Sequence, residues 1–141
     1  MANLEQLESF ESEIENKESN VEEANQKLEQ AEQRLNRLQE AINALSGDST
    51  IRQSLANNVD EARQEKDEAQ QERNKLSNEL GDVMGDLTDL QYTNEQSYQV
   101  LSELSSSGES VGEAMSVVQS RRDSIMSALG KAQHLRVLLG S

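Results

Sequence analysis

The chain has 141 residues, of which 27 are acidic and 13 basic, a formal net charge of −14; 33% are hydrophobic, 2% aromatic, and cysteine, proline and tryptophan are absent. Too little apolar material is present to fill the thick core of a compact enzyme of this length. The acidic field repels phosphate backbones and anionic lipid heads, which argues against nucleic acid and membrane surfaces as partners.

The opening Met1-Ala2-Asn3-Leu4-Glu5 carries no apolar stretch of the signal-peptide kind. The longest wholly apolar run, Val137-Leu138-Leu139, is far below the ~20 residues a membrane helix needs. A cytoplasmic location without membrane insertion is therefore the expectation, with export by a route that needs no signal peptide left open.

From Asn3 onward apolar residues climb a seven-residue ladder, Leu7, Ile14, Val21, Leu28, Leu35, Ile42, with Phe10, Lys17, Ala24, Ala31, Leu38 and Leu45 three positions further on. Sustained spacing of this kind specifies a helix that buries one seam against another helix. Without proline nothing interrupts it, so a first helix is expected over 3–46, ending at Ser46-Gly47-Asp48-Ser49. A second helix is expected over 50–104, with Leu55, Ala62, Ala69, Leu76, Val83, Leu90 and, offset by four, Val59, Lys66, Arg73, Leu80 and Leu87. Folding the chain at the turn makes each rung meet a partner whose number brings the total to 97: Ile42 with Leu55, Leu35 with Ala62, Val21 with Leu76, Leu7 with Leu90. A constant total specifies an antiparallel hairpin.

Ser105-Ser106-Ser107-Gly108 breaks the pattern, and a third helix is expected over 109–139, folding back on the second. Asn3 with Gln6, Thr50 with Gln53 and Ser110 with Glu113 have capping-box spacing. The expected architecture is all-α: one elongated helical domain over 1–141, with a long antiparallel coiled-coil hairpin over 3–93 and an overhang plus third helix over 94–141.

The register explains the polar seam positions. Lys66 faces Ala31 and Arg73 faces Ala24, so each long stem covers a small residue while its head reaches the rim. Lys27 with Glu72, Arg34 with Glu65 and Glu32 with Arg63 are the expected cross-helix ion pairs, and they favour the antiparallel orientation. Gly81 and Gly85, one turn apart inside the second helix, would each cost ~1 kcal/mol against alanine. Close approach of the third helix at Gly130 is the expected reason for them.

Apolar residues in excess of what the hairpin needs lie at Tyr92, Tyr98, Leu101 and Leu104 on the overhang and at Val111, Met115, Val118, Leu135, Leu138 and Leu139 on the third helix. Aromatic and methionine side chains mark the centres of protein interfaces, so these ten are the candidate partner-binding residues. The third helix, with Arg121, Arg122, Lys131, His134 and Arg136, is the only net-basic segment, suited to docking on the acidic helices. His134 is the only histidine, and near a helix C-terminus it reads as a dipole partner rather than a base.

No carboxylate or histidine cluster has metal-ligand spacing, and no phosphate loop or nucleophile elbow is present. No catalytic residue, metal or cofactor is expected, and the chain reads as a non-enzyme. The function expected is a coiled-coil adaptor or accessory subunit that binds another protein, most suitably a helical one, or itself. Size, acidity and spare apolar surface resemble in general form the small helical proteins of bacterial secretion systems. That resemblance implies an accessory or chaperone role for a helical client, although neither a Trp-x-Gly turn nor a Tyr-x-x-x-Asp/Glu signal after Tyr92 or Tyr98 is present. A self-assembling scaffold is the third reading.

Overall fold

The computed structural model describes residues 4–45 and 47–140, which form three α-helices and no strand: α1 Leu4–Ala44, α2 Ser49–Ser106 and α3 Gly112–Leu138. The expected all-α fold, with two long helices and a third packed on both, is the one formed. Asn3 of the first capping box and Ser46 of the turn lie outside the described residues. The chain divides into two compact units, one from Met1–Glu18 and Ser77–Ser141, the other from Ser19–Leu76.

The Ser19–Leu76 unit is a two-helix hairpin. Its seam buries Val21, Ala24, Leu28, Ala31 and Leu35 of α1 with Val59, Ala62, Ala69 and Leu76 of α2. Near the turn Leu35, Val59 and Ala62 cluster with Leu38 and Ile42, all of them rungs of the ladders. The rim obeys the same register: Arg34 donates through Nη1 to Glu65 at 2.8 Å and through Nη2 to Glu61 at 3.3 Å. The Glu65 hydrogen bond raises the Arg34 pKa, against the smaller opposing effect of burial. Lys27, expected across the seam at Glu72, instead pairs with Glu23 of its own helix at 3.2 Å. An i,i+4 partner one turn away costs less side-chain entropy than reaching across.

The turn corrects one cap. Asp48 Oδ1 accepts from the backbone N–H of Thr50 at 3.0 Å and of Ile51 at 3.2 Å, so Asp48, not Thr50, is the N-cap of α2. Aspartate there satisfies two donors the helix cannot pair itself.

In the other unit the start of α1, the second half of α2 and α3 pack as three helices. Leu7, Ile14, Leu80, Val83, Leu87 and Leu90 of α1 and α2 are buried in this unit, as are Val118, Ile125, Ala128, Ala132, Leu135 and Leu139. Lys131 of α3 pairs with Glu18 of α1 at 2.9 Å, and this hydrogen bond raises the lysine's pKa above 10.5. The breaker run ends α2 later than expected, because serine weakens a helix without stopping it. Termination falls to Gly108, at φ +95°: the Glu109 N–H donates to Leu104 O and the Gly108 N–H to Ser105 O, each at 3.0 Å. This is the paired-bond ending that a left-handed glycine allows. α3 then starts three residues late, with Val111 as an N-cap that makes no side-chain bond, so the Ser110 box is not used.

The glycine expectation is corrected. Gly85 is exposed, and a Cβ at Gly85 or at Gly130 would meet nothing within 4 Å. Gly81 lies beneath the Arg136 guanidinium, 3.7 Å from where a Cβ would stand. The backbones do not approach one another at these positions.

Candidate functional site

The three-helix unit changes character along α2. By the register that sets Leu7 against Leu90, the described start of α1 lies short of 94–106. That stretch packs on α3 through three polar attachments. Asn94 continues the ladder of Leu80 and Leu87 but is polar; it is 2% exposed and donates Nδ2 to the Val118 carbonyl at 2.9 Å. Arg122 holds Glu95 with two bonds, Nε to Oε1 at 2.6 Å and Nη2 to Oε2 at 3.0 Å. Its guanidinium carbon stands 4.5 Å from the centroid of the Tyr98 ring, a cation–π arrangement. The Glu95 bond raises the Arg122 pKa further above its ordinary value, with burial opposing.

Around these attachments the ten candidate residues divide. Val118, Leu135 and Leu139 are buried in the core of the unit. Tyr98, Leu101, Val111 and Met115 are half-buried. Tyr92 is 67% exposed, Leu138 48% and Leu104 40%. Val100, 56% exposed, joins them although it is not among the ten. On α2, Val100, Leu101 and Leu104 fall on one face, at i, i+1 and i+4. Tyr92 stands about 80° around the helix from Val100 and about 120° from Leu104, so it is not part of that patch. The coherent surface is therefore Val100, Leu101 and Leu104, flanked by the exposed carboxylates Glu103 and Glu109.

The Ser19–Leu76 unit has an open groove floored by Ala24, Ala31 and Ala69. Its two cations, Lys27 and Arg34, are paired with Glu23 and Glu65, leaving Glu68 and Glu72 along one wall. Among the described residues no three histidine or carboxylate side chains converge as a metal site would require, and no helix is long and apolar enough to cross a membrane.

The spacing of the apolar ladder already contained the signal for Asn94: a polar residue where Leu80, Leu87 and Leu101 set the pattern. Glu95 with Arg122 had no such signal, because the alignment of α3 on α2 has no long ladder to set it. Compared with protein-family models, with curated proteins and with solved structures, the chain matches none.

Proposed function

We propose that the protein is a non-enzymatic interaction module, a coiled-coil adaptor or accessory subunit that binds a helical protein at the Val100–Leu101–Leu104 face. The observation that carries this reading is the exposure of Val100 and Leu104, four residues apart on one face of α2, in a chain with few apolar residues. An apolar helix face of this spacing receives the i, i+4 anchors of a second amphipathic helix. Glu103 and Glu109 beside it favour a partner helix with basic flanks.

The test is affinity capture from the source cells with the wild-type chain and with Val100→Asp/Leu104→Asp. Both substitutions lie on exposed positions, so the folded chain tolerates them. A protein retained by the wild type and released by the double variant, with unchanged helicity, supports the reading. Identical capture by the two chains removes it.

A further inference from the structure

Between Val59 and Leu76, a stretch of roughly 25 Å, α2 offers the hairpin seam no large apolar side chain. Its rungs there are Ala62, Lys66, Ala69 and Arg73, and the register sets Leu35, Ala31, Leu28 and Ala24 of α1 against them. Side chains this small leave an open groove above Ala24, Ala31 and Ala69. In the same stretch the Arg73 Nε is buried without a hydrogen-bond partner. The rim adds little. Lys27 pairs with Glu23 inside its own helix, and the clasp across the two helices, Arg34 on Glu61 and Glu65, is exposed to water, where such pairs are weak.

The three-helix unit is built differently. Among the described residues, the largest fully buried side chains include Ile14, Leu80, Leu87, Ile125 and Asn94 of that unit, whereas the hairpin contributes Val21. Stabilisation follows the apolar area removed from water, so the two units rest on unequal cores. We infer that the Ser19–Leu76 hairpin is an arm that opens as one cooperative piece while the three-helix unit stays folded.

Cooperativity follows from having only two helices in the arm. Helices in water owe most of their stability to packing on a neighbour, so each half of the arm loses its support when the other leaves. The opening therefore spans the unit rather than a few residues at its tip. It frees the α1 row Val21, Leu28 and Leu35, which the closed arm buries. The chain thus has a second state, in which a heptad-spaced row of large side chains is accessible that the closed state withholds. No residue of the Val100–Leu104 face takes part, so this device and that surface do not depend on each other.

The experiment is native-state hydrogen exchange of the full chain in rising, sub-denaturing urea, read by NMR for the wild type and for Ile125→Val. Amides of 24–35 and 59–73 are expected to share one opening that depends less on urea than that of 80–90 and 118–135, because it exposes less surface. Without urea they exchange at least ~tenfold faster, as the less stable unit of a fold does. Ile125 is buried in the three-helix unit, so its truncation to valine leaves the opening of the arm alone. Exchange at 80–90 and 118–135 then quickens by up to about tenfold, while 24–35 and 59–73 are unchanged. In a chain that opens all at once both sets accelerate together. Equal urea dependence of the two sets, acceleration of both by Ile125→Val, or exchange at 24–35 and 59–73 that ignores urea, the mark of fraying, would each overturn the inference.

Discussion

Lys17 of α1 reaches Glu79 of α2 at 2.6 Å, although its own place in the ladder faces Leu80. Its stem fills the seam, leaving the residue 9% exposed, and the ammonium leaves sideways to the rim, where Glu13 adds a longer contact at 3.7 Å. A lysine in an apolar ladder is thus accommodated by pairing it just outside the seam.

From this pair the two partners respond in opposite directions. Glu79→Gln weakens the compensation of a buried ammonium and is expected to lower stability by about 1–2 kcal/mol. Lys17→Met keeps the stem's volume, removes the desolvated charge and is expected to raise stability by up to about 1 kcal/mol. Urea unfolding of the two variants checks the signs, and equal losses from both would contradict this account.

Lys66 and Arg73 are half-buried, Ala31 and Ala24, which the register sets opposite them, are buried, and the Arg73 Nε is buried without a hydrogen-bond partner. Lys66→Leu with Arg73→Leu is expected to stabilise the hairpin by roughly 1 kcal/mol while loosening its register, since polar seam residues trade stability for alignment. A higher melting temperature, together with faster amide exchange over 19–76 relative to overall stability, is the expected outcome; a lower melting temperature argues that the stems pack better than leucine would.

Asn94 donates its amide to a carbonyl inside the three-helix unit. Asn94→Asp replaces that donor with a buried carboxylate, which burial destabilises in its charged form. The folded-state pKa of the new group then lies above its unfolded value of about 3.9, so its penalty is full at neutral pH and fades as pH falls through the raised pKa. A destabilisation of about 3 kcal/mol at pH 7, narrowing toward pH 4 when compared with the wild type at each pH, is what denaturant titrations should read. A constant difference across that range would place position 94 in contact with solvent.

Gly85→Ala is expected to stabilise the chain by about 0.5–1 kcal/mol, because the position is mid-helix, exposed and open where a methyl would go. Gly81→Ala should be similarly tolerated, its methyl making an ordinary contact with the Arg136 head. Thermal melts decide it: a loss at either position would mean that another helix approaches there.

The hairpin register was legible because two seven-residue ladders over some forty residues each leave one alignment that buries both. Arg34–Glu65 followed from it directly, and Lys27–Glu72 failed only because Glu23 stands nearer in the same helix. Where patterns are short, reading fails. The Ser105–Gly108 run located a break but not its end, since serine hydroxyls and backbone compete on nearly equal terms and only Gly108 adopts positive φ. Thr50 and Ser110 have the right chemistry for caps, but the strand of chain entering each helix decides which residue's oxygen faces the open N–H groups.

By itself, then, the sequence determined the helices, their antiparallel pairing and the polar positions that pin it, because periodicity acts locally and repeats. The tertiary structure decided which of the spare apolar residues are core and which are surface. Val118, Leu135 and Leu139 turn inward while Val117, Met126 and Leu138 do not, and that division depends on the rotation of α3 about its own axis. Nearly uniform apolarity around a helix leaves that rotation undetermined, and it is Asn94 with Val118 and Arg122 with Glu95 that hold it.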